Sequence, residues 1–262
     1  MTSELTSRLV CPICKTTLSI NSNQILCQNN HTVSYKNGII NLIPLNCNPG
    51  LTVAQKSGSW KITSFLYERI WRKQSVSILT NGKFSVREEL HLLEEFCSTL
   101  QSDSLICDLT CSTGLYGRFI LEKFSGSNLF FLDYSETMLL GTGVRNKFPE
   151  RSCYVRNFAE NCSFADNSLD AVVCGASWNE ITKTGETLSS VKTSLKPGGK
   201  IFWMGILKSE KMLGSLIQKF ASDAGGLHFD TAASVEQRFE DHGFRNIVLA
   251  KYQSIFILSA QK

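Results

Sequence analysis

The chain has 262 residues, enough for one or two domains with a buried core, and at 42% hydrophobic, 19% charged, 18 Gly and 5 Pro it reads as a folded protein. Disorder, collagen-like repeats and a disulfide-stapled miniprotein are disfavoured by those figures. The net charge of +4 divides unevenly, because residues 1–87 carry ten Lys and Arg against Glu4 and Glu68, scattered rather than in a block.

No uncharged apolar run approaches the roughly 18 to 20 residues that cross a bilayer. The start, Met1 to Arg8, lacks the layout of a secretion signal. A cytoplasmic, reducing setting is therefore expected, in which the ten cysteines serve as metal ligands or core.

In chain order, residues 1–45 predict a small β module, with short apolar alternations at Leu18–Ile20 and Gly38–Ile43. Residues 46–60, with Asn48-Pro49-Gly50 and Ser57-Gly58-Ser59, predict a linker. From residue 61 to the end a second domain is expected. Ile62, Phe65, Leu66, Ile70 and Trp71 recur near helical spacing, as do Leu90, Leu93 and Phe96.

Strand and helix then alternate. Strands are predicted at Ser104–Leu109, Leu129–Leu132, Cys153–Arg156, Ala171–Cys174 and Lys200–Ile206. Helices are predicted at Gly114–Phe124, at Ser135–Lys147 with a Ser cap, and at Thr184–Leu195. Such units build a parallel sheet covered on both faces, an α/β fold. Asn246–Lys251 and Ser254–Ala260 are separated by two residues, which permits only an antiparallel hairpin.

Cys11, Cys14, Cys27 and His31 have the spacing C-x2-C-x12-C-x3-H. Zinc takes four such ligands in a tetrahedron, and a closed Cys3His set leaves no open position, so a structural Zn2+ is expected. The metal would replace the core that so small a module lacks. Cys47 lies just beyond and is a decoy ligand; the remaining cysteines sit in apolar runs and read as core.

Leu105 to Gly117 reads as strand, small-residue loop and helix start, which suits an anionic group near backbone N–H donors. Asp133, 19 residues after Gly114 at the end of the next strand, is placed to accept both hydroxyls of a ribose. The same spacing also suits a plain strand-to-helix turn.

The whole segment resembles the class I S-adenosylmethionine-dependent methyltransferases. Asp108 to Gly114 stands for the family's D-x-G-x-G-x-G loop and Phe131 to Leu139 for its acidic second strand. Phe164 to Val172 leads into strand four, and Leu195-Lys196-Pro197-Gly198-Gly199-Lys200 precedes strand five. The resemblance covers about residues 61–262. It implies a seven-stranded Rossmann-like sheet with its last strand antiparallel. It also implies that Asp108, Thr110, Ser112, Gly114, Asp133, Tyr134, Met138, Asn157, Phe158 and Ala159 hold S-adenosyl-L-methionine.

The chain departs from that pattern in two places. Thr110 and Ser112 stand where the family has Gly, and Phe158 stands where it has the Asp that accepts from the adenine amino group. Stacking by Phe158 or a bond from Asn157 would compensate.

The cysteine module ahead of such a domain resembles the bacterial 23S ribosomal RNA guanine-N1 methyltransferases. Ser64 to Arg72, Asp133-Tyr134-Ser135 and Ser254 to Ala260 are more similar to a plant-plastid and cyanobacterial group with a likeness to quinone methyltransferases.

Methyl transfer from a sulfonium is an in-line displacement in which positioning supplies much of the rate. The resemblance places substrate-facing residues at Gly175–Glu180, among them Asn179. Tyr116, Tyr67 and Trp178 are candidates to line the pocket, with core packing the competing role. His228 and Asp230 are a candidate acid–base pair beside Gly225-Gly226. The catalytic candidates are thus Asn179, His228 and Tyr116. The reading is a structural zinc ribbon followed by a methyltransferase acting on a small, hydrophobic or quinone-like acceptor. Ribosomal RNA is the alternative partner, suggested by the basic front end, and a cofactor-binding scaffold without methyl transfer is the third reading.

Overall fold

The computed structural model describes residues 3–21, 24–44, 52, 76–77 and 79–262, with backbone only at 213. After a short helical turn α1 (Ser3–Thr6) come four small strands: β1 (Leu18–Asn21), β2 (Gln24–Cys27), β3 (Thr32–Lys36) and β4 (Ile39–Asn41). Helix α2 (Val86–Ser98) begins at a capping box in which Ser85 and Glu88 satisfy each other's backbone N–H groups. The alternation follows as β5 (Leu105–Leu109), α3 (Leu115–Lys123), β6 (Asn128–Asp133), α4 (Glu136–Arg145), β7 (Ser152–Arg156), β8 (Leu169–Cys174), α5 (Thr184–Ser194) and β9 (Leu195–Ile206). Helices α6 (Met212–Gly225) and α7 (Ala232–Asp241) and the hairpin β10 (Arg245–Tyr252) and β11 (Ile255–Gln261) complete the chain.

One sheet runs through the molecule in the order β1-β2-β3-β4-β7-β6-β5-β8-β9-β11-β10. Strands β7, β6, β5, β8 and β9 are parallel, and β11 is antiparallel to both β9 and β10. Its strands alternate between two cores. Phe130, Leu132, Val172 and Trp203 point into the layer with Leu188, Val235 and Phe239. Leu129, Phe131, Val173 and Phe202 point into the layer with Leu93, Phe96 and Ile120.

Among the described residues the sheet has eleven strands rather than seven alone: β7-β6-β5-β8-β9-β11-β10 come from the chain after residue 61, and the cysteine module's four strands extend the same sheet. Ile39, Ile40 and Asn41 of β4 pair in parallel with Tyr154, Val155 and Arg156 of β7. The cause is visible in two adjacent residues. Ile40 faces one core and Ile39 the other, so β4 is buried on both sides like any inner parallel strand. Leu5, Leu9, Leu18, Ile25 and Val33 also share a cluster with Phe164 and Cys162, so the module borrows its core from the larger half.

Helices α6 and α7 have no counterpart in the expectations. The helix α6 is tethered by Gln218, whose amide accepts from Ser209 N–H and donates to the Leu207 carbonyl, while Leu216, Ile217 and Phe220 face solvent. Cys47, the linker apart from residue 52, and the segment holding Ile62, Phe65, Tyr67 and Trp71 lie outside the described residues, as do Lys56, Lys61, Arg69, Arg72 and Lys73 of the basic front end.

Candidate functional site

Two tight turns present the four metal-ligand candidates. In the first, Lys15 N–H bonds to the Cys11 carbonyl and Cys11 N–H to the Thr16 carbonyl, with Lys15 in the left-handed region. In the second, Cys27 N–H bonds to the His31 carbonyl, and His31 N–H donates to Cys27 Sγ at 3.3 Å. The four ligand atoms all lie within 4.8 Å of one another. Cys14 Sγ is 3.5 Å from Cys27 Sγ, and His31 Nδ1 is 3.5 Å from Cys27 Sγ and 3.7 Å from Cys11 Sγ. A tetrahedron with Zn–S of about 2.3 Å and Zn–N of about 2.0 Å has edges near 3.5–3.8 Å, so the donor set fits zinc.

The second site lies at the carboxyl ends of β5 and β6. Asp108, buried on β5, accepts from Gly117 N–H at 2.9 Å and fixes the start of α3. Between them Thr110, Ser112 and Gly114 have φ of 53°, 50° and 74°. The two residues that replace glycine thus keep a glycine-like backbone. At Gly114 a Cβ would run into Thr142 and the Phe131 ring. The Ser112 hydroxyl turns to Met138 Sδ at 3.5 Å, and Thr142 Oγ1 donates to the Ser112 carbonyl.

Asp133 ends β6, and its oxygens accept from Ser112 N–H and Ser135 N–H, each at 2.8 Å. Burial pushes its carboxyl up to about 6, opposed by those backbone donors. Ser135 caps α4 by accepting from Met138 N–H. The half-buried rings of Tyr134 and Phe158 lie parallel, 10° apart in tilt, with centroids separated by 6.3 Å. Asn157 sits apart from them. Its amide donates to the Asn161 carbonyl and to Ser163 Oγ, and its oxygen accepts from Phe158 N–H, so its side chain is engaged within its own loop. The next residue, Ala159, is buried.

At the end of β8 the catalytic candidates separate. Asn179 is a buried clamp: its amide donates to the Ile206 and His228 carbonyls and its oxygen accepts from Ile206 N–H. Trp178 is fully buried and donates to Asp230 Oδ2 at 3.0 Å. Asp230 also receives Arg238 and Ser234, and His228 Nε2 stands 3.7 Å from it. Burial pulls the His228 ring down, with the Arg238 charge adding to it, despite Asp230. Tyr116 is buried against Gly175 and donates to Glu89.

The residue missed in the sequence is Glu180, pushed up to about 7 by burial and then by the negative charge of Asp133. Only its place in Gly175–Glu180 signalled it, and there the adjacent Asn179 was the more familiar choice.

The pattern of matches follows this geometry. Residues 106–199 match the family model described as a methyltransferase domain, and residues 9–48 match the model for the N-terminal zinc ribbon of RlmA. An uncharacterized chloroplastic methyltransferase of Arabidopsis thaliana is 24% identical over 212 residues, 77% of this chain and 59% of that one. The ubiquinone/menaquinone biosynthesis C-methyltransferase UbiE of Francisella tularensis subsp. holarctica is 26% identical over 158 residues, 60% of this chain and 56% of that protein. The chain therefore spans little more than half the length of such relatives. Among solved structures, a phosphoethanolamine N-methyltransferase of Haemonchus contortus in complex with S-adenosylhomocysteine superposes with a TM-score of 0.64. It is 15% identical, over 80% of this chain and 59% of that one, a likeness of fold. Among the described residues no helix is long and apolar enough to cross a membrane.

Proposed function

We propose that the chain is a class I S-adenosylmethionine-dependent methyltransferase carrying an RlmA-type zinc ribbon, and that it methylates a small, hydrophobic, quinone-like acceptor. The observation that carries the cofactor assignment is Asp133, a buried carboxylate at a strand end beside a left-handed loop. Backbone N–H groups hold both of its oxygens in place at the strand end, which orients the carboxylate to accept from ribose hydroxyls as well. Gly114, Ser112 and Thr110 would let the backbone approach the ligand, and Tyr134 with Phe158 would wall the adenine. Bound there, S-adenosylmethionine supplies a methyl group on a positively charged sulfur, open to in-line attack by an acceptor.

The chain's own part is to orient the acceptor and take its proton. Glu180, poised near neutrality at the same end of the sheet, is the group proposed for that proton transfer. The UbiE likeness supports a quinone-type acceptor. The described ribbon offers Arg8, Lys15 and Lys36 against Glu4, little charge for gripping a phosphate backbone.

The ribbon's match to RlmA favours a second reading, methylation of ribosomal RNA. Full-length protein incubated with methyl-labelled S-adenosylmethionine distinguishes the two. Label is expected in extractable hydroxylated quinols; label confined to 23S RNA transcripts would overturn the small-molecule reading. RNA binding should be weak and non-selective, without the steep salt slope of about −0.7 per phosphate contact that single-strand docking gives.

A further inference from the structure

The loop that leaves β7 has the cofactor site on one side and the zinc ribbon on the other. Toward the site, Asn157 N–H bonds to the Asp133 carbonyl at 3.1 Å, Arg156 Nε donates to the Tyr134 carbonyl at 2.9 Å, and the Phe158 ring lies parallel to Tyr134. Toward the ribbon, Leu42 N–H bonds to the Arg156 carbonyl at 2.9 Å and Val10 N–H to the Ser163 carbonyl at 2.9 Å. Ala165 N–H bonds back to the Arg8 carbonyl at 2.8 Å, Leu9 bridges Phe164, and Lys15 Nζ reaches Asn161 Oδ1 at 3.2 Å. Between the two sides the loop is braced internally by the Asn157 amide.

Two of these ribbon residues are immediate neighbours of metal ligands. Val10 precedes Cys11 and Lys15 follows Cys14, so the first zinc turn carries its loop contacts at both ends. Leu9, Cys11 and Cys27 also share one apolar cluster with Ala159, Cys162 and Phe164. Zinc would clamp the two turns that carry these contacts, so its loss should loosen the ribbon's hold on residues 157–165 even where the shared core keeps the strands in place.

We infer that the zinc ribbon is a structural wall of the cofactor seat, holding the 157–165 loop in its binding shape, so that zinc and S-adenosylmethionine bind cooperatively. The inference rests on the cofactor reading given above and adds a role for the ribbon other than contacting a substrate. Linkage requires the coupling to be reciprocal, and couplings of this kind are typically about 5- to 150-fold.

The test is isothermal titration of the full chain with S-adenosylhomocysteine, zinc-loaded and after stripping by a chelator. Affinity should fall about tenfold or more on stripping and return when zinc is restored. Saturating S-adenosylhomocysteine should raise zinc affinity, read by competition with a chromophoric chelator, by the same factor. Equal affinity with and without zinc would overturn the inference alone, whereas no binding by the zinc-loaded chain would overturn the cofactor reading and the inference with it. If the stripped chain unfolds, hydrogen exchange on the zinc-loaded protein decides. S-adenosylhomocysteine should slow exchange at the amides of Val10, Leu42 and Ala165, and unchanged exchange there would overturn the inference.

Discussion

Replacing Asp133 with Asn separates the two duties of its carboxylate. Both oxygens now accept a backbone N–H at 2.8 Å, from Ser112 and Ser135. A carboxamide has one acceptor oxygen, so in either orientation one of those N–H groups meets an NH2. An unsatisfied buried donor costs about 1–3 kcal/mol. Part of that cost is offset because the variant no longer buries a charge, the burden that pushes the carboxyl up to about 6. The fold should therefore survive with a modest drop in thermal midpoint.

Cofactor binding suffers more specifically, because hydroxyl hydrogen bonds to a charged acceptor contribute about 1.5–3 kcal/mol. Asp133→Asn should weaken S-adenosylhomocysteine by about 10- to 150-fold at pH 7.5 in isothermal titration. The parent should also lose affinity as pH falls below about 6 and the carboxyl takes up a proton, while the variant's affinity stays level there. A folded variant with parental affinity would mean that the ribose lies elsewhere.

Cys14→Ser should release zinc in elemental analysis and make residues 1–45 protease-sensitive; a metal-free protein with a resistant N-terminus would refute the zinc site. Phe158→Asp should weaken S-adenosylhomocysteine by about 1 kcal/mol, the scale of an aromatic contact, because the ring already lies parallel to Tyr134; a gain in affinity would show that an acceptor is missing there. Ser112→Gly should stabilise the chain by up to about 1 kcal/mol in denaturant titration, since φ of 50° is costly for any residue but Gly. A loss of stability would refute that strain.

Glu180→Gln should gain stability relative to the parent as pH rises from 5 to 8. The folded carboxyl holds its proton up to about 7, while the unfolded chain releases it in the usual carboxylate range, so the parent's stability from this group is lost across that window. A pH-independent difference between the two would refute the assignment.

The parallel strands and the C-terminal hairpin were legible because short apolar runs alternate with segments of helical period and end in turn residues. Observed bounds differ from expectation by a residue or two at β6 and α4, where Ser135 does cap the helix. The metal spacing was legible because tight turns place ligands at short, fixed separations. The union of the two halves was not. Ile39-Ile40 reads as part of a small hairpin until β7 is known to lie beside it, and a pairing across more than a hundred residues leaves no local period.

Asn179 illustrates the limit for sites. Its residue type suits substrate orientation, yet its bonds to Ile206 and His228 make it a brace between β9 and the segment before α7. Glu180 was hidden for the opposite reason. Its raised carboxyl comes from burial and the charge of Asp133, a residue 47 positions earlier in the chain. Helix α6 had no expectation in the sequence; it is held through Gln218 while Leu216, Ile217 and Phe220 face solvent.

Direct titration of the zinc-loaded full chain with S-adenosylmethionine and with S-adenosylhomocysteine tests the central claim most squarely. A seat built from the 110–114 loop, Asp133 and the Tyr134–Phe158 pair should bind both, one per chain, with dissociation constants in the micromolar range. A folded, zinc-loaded protein that binds neither would contradict it.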